Sequence, residues 1–128
     1  MNLEMITSTG DVEHENIICL THYSKDDIVS FSNDIKDKIL NNNQELELHN
    51  ASYIKALNCS LILRKSDVEK GIYLTNENNL ICELNEESYL NMAEIIEQFL
   101  DDNNSGFNWL IDIVNSEFDL LMNDTISW

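Results

Sequence analysis

The chain has 128 residues, of which 43% are hydrophobic, and its 24 acidic residues against 7 Lys and Arg give a formal net charge of −17. This length predicts a single domain, residues 1–128, and the hydrophobic content excludes a disordered chain. The charge repels polyanions and anionic membranes, so it argues against direct binding of nucleic acid or membrane and favours a basic protein partner. Acidity that serves solubility alone is the alternative.

The N-terminal stretch MNLEMITSTGDVEHEN contains neither a basic start nor an apolar run of secretory length, and no apolar stretch of the chain approaches about 18 residues. We therefore expect a cytoplasmic protein. Cys19, Cys59 and Cys82 each lie in an apolar run, without paired spacing. This placement predicts free thiols that pack as small apolar residues.

The first half of the chain begins with a strand and a helix. Residues 16–21, NIICLT, form an apolar and β-branched run that is typical of a buried strand. Ser24 follows, with Asp27 three residues later, which is the spacing of a capping box at a helix start. Four apolar residues then recur at helical spacing on one face: Ile28, Phe31, Ile35 and Ile39. The pattern predicts an amphipathic helix.

The middle of the chain changes to strand patterns. After a turn signal at residues 41–43, Leu46 and Leu48 alternate with polar neighbours in QELELH. Three further apolar runs, NCSLILRK, GIYLT and LICEL, are separated by polar clusters that suit turns. Short strands with brief connections predict an antiparallel meander of about four strands.

A second amphipathic helix is predicted after Asn85, which is a good N-cap. Its apolar residues fall within an arc of about 120°, and a separate arc of about 100° carries carboxylates around Leu90. We call these five carboxylates the helix stripe: Glu86, Glu87, Glu94, Glu97 and Asp101. Residues 71–128 contain twelve Asp or Glu and no Lys or Arg. The sequence therefore predicts a repulsion of about 1–3 kcal/mol within the stripe that no downstream cation relieves.

The last segment opens with a turn signal at residues 103–106 and then carries two apolar runs, FNWLIDIV and EFDLLM. We interpret the first run as a short helix or irregular segment and the second as a strand, although periodicity does not distinguish them. Trp109 is interpreted as a core residue, with an interface hot spot as the alternative because Asp101, Asp102 and Asp112 are near in sequence.

Together the elements predict an α+β fold, with an antiparallel sheet of about 5–6 strands and two amphipathic helices packed on it.

Motifs for catalysis are missing from the sequence. It contains no H-E-x-x-H, no Gly-rich phosphate loop, no G-x-S-x-G and no calcium-binding loop, and only 3 Gly. His14, between two glutamates, makes a poor metal chelate alone, and His22 fits a structural place at a strand end. We therefore expect no enzymatic activity, no metal and no cofactor.

In size, acidity and class, the chain resembles the immunity proteins of bacterial polymorphic-toxin and contact-dependent growth inhibition systems. The resemblance implies a cytosolic antidote that binds a cognate toxin domain, often a basic nuclease, and occludes its active site. A nuclease cleft must attract a polyanion, so an acidic surface would be steered towards it. The predicted partner-binding residues are the helix stripe and its surroundings: Glu86, Glu87, Leu90, Glu94, Glu97, Asp101, Asp102, Trp109 and Asp112.

Three other functions fit the sequence less closely. The first is a type III secretion chaperone, also small and acidic, which would dimerise through an exposed apolar face and bind an effector segment. The second is an enzyme with catalytic carboxylates or a metal, which would need a concave pocket with perturbed carboxylates. The third is a nucleic-acid mimic that would compete with DNA for several proteins. The sequence leaves the oligomeric state open.

Overall fold

The computed structural model describes residues 1–7, 16–100, 107–111 and 116–123. Its strands are β1 (Asn2–Thr7), β2 (Asn16–Thr21), β3 (Leu46–Glu47), β4 (Lys55–Ala56), β5 (Ser60–Lys65), β6 (Gly71–Asn76), β7 (Asn79–Leu84), β8 (Phe107–Trp109) and β9 (Asp119–Asn123). Its two α-helices are α1 (Lys25–Asp34) and α2 (Glu86–Gln98). α1 continues into a π-helical segment (Ile35–Asn41), and a short 3-10 helix (Leu48–Asn50) follows β3. The predicted α+β class is confirmed. Within the described ranges, no helix is both long and apolar enough to cross a bilayer.

The strands form two mixed sheets. The five-stranded sheet has the order β4-β1-β2-β9-β8, with parallel pairing of β1 with β4 and of β2 with β9. The four-stranded sheet has the order β3-β5-β7-β6, with parallel pairing of β5 with β7. The remaining neighbours are antiparallel. The prediction of an antiparallel sheet of about 5–6 strands is therefore matched only in part: one sheet has five strands, but there are two sheets and three of their pairings are parallel.

The predicted meander fails because β5 pairs with β7 instead of β6. The apolar run in β7 gains most from a central position, whereas β6 ends in polar residues and takes the edge. The central position also brings Arg64 of β5 and Tyr73 of β6 to Glu83 of β7. The Tyr73 hydroxyl donates to Glu83, and Arg64 Nε lies 3.5 Å from Glu83 Oε2. These two contacts hold the pKa of Glu83 below its ordinary value, against the opposing effect of burial.

Two segments near the chain ends differ from their sequence interpretation. β1 is not among the predicted elements, yet it pairs with β2 along its whole length, from Asn2 opposite Thr21 to Thr7 opposite Asn16. Residues 107–109 form β8, so their interpretation as a short helix or irregular segment is wrong. β8 exists because β9, ten residues later, supplies its backbone hydrogen bonds. The predicted strand within EFDLLM is confirmed as β9, and the predicted turn at 103–106 lies outside the described residues.

The predicted start of the first helix is confirmed in atomic detail. Ser24 Oγ accepts a hydrogen bond of 3.1 Å from the Asp27 backbone N–H, and Asp27 Oδ2 accepts one of 3.0 Å from the Ser24 N–H. The four apolar residues predicted to share a face are all buried: Ile28, Phe31, Ile35 and Ile39. The QELELH strand is shorter than predicted, because the chain enters the 3-10 helix at Leu48 directly after β3.

One hydrophobic core joins both sheets and both helices. On the five-stranded sheet, Leu3, Leu20 and Met122 are neighbours in register and fully buried. On the other side of the core, Tyr89 of α2 is fully buried against the four-stranded sheet. The Tyr89 hydroxyl is 2.7 Å from the Arg64 carbonyl oxygen and 3.1 Å from the Cys82 carbonyl oxygen, so it ties α2 to β5 and β7.

The three cysteines are free thiols. Cys19 and Cys82 are fully buried, which confirms their prediction as small apolar residues, and Cys59 is half-buried. Burial is the main cause that raises the pKa of each thiol, to about 11 for Cys19 and Cys59 and to about 12 for Cys82. These thiols are therefore protonated at neutral pH and poorly nucleophilic.

Tyr89→Phe tests the tie between α2 and the four-stranded sheet. The change removes the donor shared by two carbonyl oxygens and leaves the ring packing in place, so the free energy of unfolding should fall by about 1–3 kcal/mol in urea titrations. Val68→Ala is the control, since Val68 is 61% exposed and its truncation should cost less than about 0.5 kcal/mol. A Tyr89→Phe protein as stable as the control would contradict this role of the hydroxyl.

Candidate protein-binding surface

The start of α2 is fixed by side chains from two segments. Asn85 Oδ1 accepts a hydrogen bond of 2.9 Å from the Ser88 backbone N–H, which confirms the predicted N-cap. Glu69, from the loop before β6, accepts hydrogen bonds from the Ser88 hydroxyl and, at 3.5 Å, from the Asn85 backbone N–H. Glu86 and Glu87 therefore occupy a well-defined first turn, where the helix dipole favours negative charge.

α2 has one buried face and one exposed face. Its buried residues are Tyr89, Met92, Ala93 and Ile96. The exposed face carries four of the predicted site residues, which we call the α2 ridge: Glu86, Glu87, Leu90 and Glu94. Leu90 is 46% exposed, and none of the three glutamates forms an ion pair with another described residue. The ridge is thus an uncompensated acidic surface with an apolar residue within it.

Glu97 differs from the other glutamates of the predicted stripe. It forms a salt bridge with Lys36 of the π-helical segment and accepts a hydrogen bond of 2.8 Å from the Ser32 hydroxyl of α1. The Lys36 contact and then the Ser32 hydrogen bond hold the pKa of Glu97 below its ordinary value of 4.5. The expected repulsion is therefore relieved at this position by a lysine from earlier in the chain, which the fold brings to Glu97.

A first groove runs along one side of the ridge, between α2 and the π-helical segment. It has a volume of about 310 Å³ and is lined by Glu86 and Leu90 of α2 together with Lys36, Leu40 and Asn41. The side chain of Leu90 therefore has an apolar neighbour in Leu40, and the groove carries both signs of charge.

A second groove runs along the other side of the ridge, between α2 and the chain at β8. Its volume is about 220 Å³, and its lining from α2 consists of Ser88, Asn91 and Ile95. Leu84 and residues 109–111 are the other described residues that line it. Ile95 is five residues from Leu90, which is about 140° of helix rotation, so the two grooves face different directions.

Trp109 belongs to the second groove. It is 40% exposed, so its interpretation as a core residue is wrong, while Leu110 and Ile111 beside it are buried. The alternative role of Trp109 as an interface hot spot stays a prediction. Leu90 and Trp109, which the sequence analysis grouped as anchors of one surface, lie in separate grooves that flank the ridge.

Carboxylates also lie on described segments outside α2. Asp101, Asp102 and Asp112 of the predicted site lie outside the described residues. Exposed acids also occur on other segments: Asp26, Asp37, Glu45, Glu47, Asp67, Glu77 and Glu117. Negative charge alone therefore does not distinguish α2. Its distinguishing feature is the acidic ridge with a groove on each side.

Nine of the residues that line the two grooves were not predicted as site residues: Lys36, Leu40, Asn41, Leu84, Ser88, Asn91, Ile95, Leu110 and Ile111. A signal existed for Ile95, since it lies outside the apolar arc of α2 and is nevertheless a large apolar residue. Lys36 and Leu40 could not be assigned without knowing how the two helices pack.

The contacts of His22 indicate a structural role. His22 Nδ1 lies 3.0 Å from Thr21 Oγ1 and 3.3 Å from Asn2 Nδ2 at the end of β2, which confirms the predicted strand-end position. His14 lies outside the described residues. Among the residues that the structure describes, no three His, Cys, Asp or Glu side chains are grouped so that they could hold a metal ion.

No protein-family model, curated protein or solved structure matches the chain. Its function is therefore inferred from the chemistry of the α2 ridge and the two grooves.

Glu97→Gln tests the salt bridge between the helices, since glutamine keeps an acceptor for Ser32 and removes the charge. Glu97 is 38% exposed, so we expect a loss of only about 0.5 kcal/mol of unfolding free energy at neutral pH. Because the folded-state pKa of Glu97 is lowered, this contribution is present above the unfolded-state pKa. It should disappear as pH falls through the folded-state pKa.

Glu94→Gln is the matched control, because Glu94 is an exposed glutamate on the same helix with no ion pair among the described residues. Urea titrations from about pH 7 to about pH 3 compare the two variants with the unchanged protein. A Glu97→Gln effect that persists or grows at low pH, or an equal effect in Glu94→Gln, would contradict the assignment.

Proposed function

We propose that this chain is a cytoplasmic antidote of the immunity-protein type, which neutralises a basic toxin domain by covering its cationic surface with the α2 ridge. The observation that carries the proposal is the combination of three exposed, unpaired glutamates with a groove on each side of the same helix. Apolar and aromatic side chains surrounded by charge are the usual anchors of protein interfaces.

Electrostatics supports a cationic partner. A net charge of −17 attracts a basic protein over several ångströms and speeds its encounter with the ridge. The glutamates of the ridge are exposed, so a partner cation gains their interaction without first breaking an internal salt bridge. A toxin that cleaves nucleic acid has such a cationic cleft, since its substrate is a polyanion.

The rigidity of α2 also supports this proposal. Two side chains fix its first turn, and the Tyr89 hydroxyl fixes its position over β5 and β7. A binding surface on a rigid element loses little conformational entropy when a partner docks.

The exposed apolar residues favour an antidote over a secretion chaperone that dimerises through one apolar face. The large apolar residues that are exposed among the described residues lie on six different segments: Val29, Leu57, Val68, Leu74, Leu90 and Trp109. No two of them share a helix or strand, and single exposed apolar residues are normal, whereas a dimer interface needs a continuous apolar area.

Charge reversal tests the proposal. The tagged chain should co-purify with one basic chain whose toxic domain arrests growth when expressed alone, and co-expression of the antidote should restore growth. The triple variant Glu86→Lys, Glu87→Lys and Glu94→Lys should slow association with that domain by about tenfold or more at low salt, and abolish protection. Rates are measured by surface plasmon resonance at several salt concentrations.

The control triple variant Glu45→Lys, Asp67→Lys and Glu77→Lys makes the same change in net charge at exposed positions outside α2. It should retain protection and lose much less of the association rate. Equal losses in both variants would show that the net charge matters and the ridge does not, and a partner that associates independently of salt would contradict steering.

A further inference from the structure

The second groove differs from the first in the charge of its lining. The first groove contains Lys36, which is already paired with Glu97. Among the described residues that line the second groove there is no charged side chain, and its floor contains the buried residues Leu110 and Ile111. Its volume of about 220 Å³ is below the range of about 300–1,000 Å³ that is typical of small-molecule pockets. The space therefore suits one side chain of a partner.

The rim of the second groove is acidic. Asn91 lines the groove, and Glu87 and Glu94 lie four residues before it and three residues after it on α2. Residues at these helical spacings have Cβ atoms about 5–6 Å apart, so both carboxylates border the groove mouth. Neither carboxylate has an ion-pair partner among the described residues, so a cation that enters the groove meets uncompensated negative charge.

Trp109 is held in place before any partner arrives. It lies opposite Leu121 in the antiparallel pair of β8 and β9, and the Leu110 N–H donates a 2.8 Å hydrogen bond to the Leu120 carbonyl. Leu121 is 3% exposed, whereas Trp109 is 40% exposed. A partly open indole on a paired strand, in a groove whose rim carries carboxylates, is a good surface for a planar cation.

We propose that the second groove receives an arginine side chain of the partner. Its aliphatic part contacts Ile95 and Leu110, its guanidinium stacks on Trp109, and its N–H groups reach Asn91, Glu87 and Glu94. Arginine fits better than lysine because a guanidinium is planar, weakly hydrated and able to donate to several acceptors at once. This inference rests on the proposed function and names the chemistry of the contact.

Two other occupants fit the charge less well. Residues 124–128, DTISW, contain an acidic residue and no cation, so the rim glutamates would repel their Asp124. A second copy of the chain carries the same net charge of −17 and would be repelled as well.

The test uses the isolated chain and a small probe, Nα-acetyl-arginine amide, with the neutral isostere Nα-acetyl-citrulline amide as its control. Titrations are followed by ¹H–¹⁵N NMR, with the Trp109 indole resonance assigned from Trp109→Phe. We expect the arginine probe to shift this resonance and the amides of Ser88, Asn91 and Ile95, with an affinity at least about fivefold above that of citrulline. Glu87→Gln with Glu94→Gln should weaken arginine binding, and the charge-matched pair Glu45→Gln with Glu77→Gln should not.

No shift at the groove, equal shifts with citrulline, or equal weakening in the two double variants would overturn the arginine assignment. Arginine binding that appears only when the chain is truncated after Asn123 would also overturn it, because the groove would then belong to residues 124–128. The measurement needs no protein partner, so its failure leaves the antidote proposal standing. If the control triple variant lost toxin protection, the ridge triple variant kept it, and arginine binding was intact, only the proposed antidote surface would be rejected.

Discussion

The hydroxyl group of Tyr89 is the contact on which the rest of the surface depends. It lies within hydrogen-bond distance of two backbone carbonyls, one from β5 and one from β7, at a place where the side chain is fully buried. A helix that rotated by one residue, about 100°, would put Ser88 or Leu90 in place of this ring. The hydroxyl therefore sets which side of α2 faces the core and leaves Glu86, Glu87, Leu90 and Glu94 outside.

Around the two helices, some carboxylates form contacts that stabilise the fold and others are exposed without such contacts. Asp27 closes the capping box of α1, Glu69 braces the start of α2, and Glu83 and Glu97 pair with cations. Each of these groups lies at a junction between elements. The ridge glutamates form no ion pair with another described residue, so their negative charge is not used inside the fold. The same distinction separates the first groove, which contains a salt-bridged lysine, from the second.

The local elements followed from the sequence because their signals are short-range. The Ser24 capping box, the Asn85 N-cap and the faces of both helices depend on residues within a few positions of each other. The sheet order did not follow, since the pairing of β2 with β9 joins residues about a hundred positions apart and competing pairings have similar local patterns. Trp109 was misplaced for the same reason, and Lys36 could be matched to Glu97 only after α1 and α2 had packed.

Carboxyl footprinting of the chain with its proposed toxin partner is the decisive measurement for the α2 ridge. Exposed Asp and Glu side chains are coupled to an amine by a carbodiimide, and mass spectrometry then compares the labelling of each residue in the free and bound chain. If the ridge is the binding surface, Glu86, Glu87 and Glu94 should lose most of their labelling on binding, while Glu45, Asp67 and Glu77 should keep theirs. Protection spread evenly over both groups, or confined to the second, would contradict a binding surface on α2.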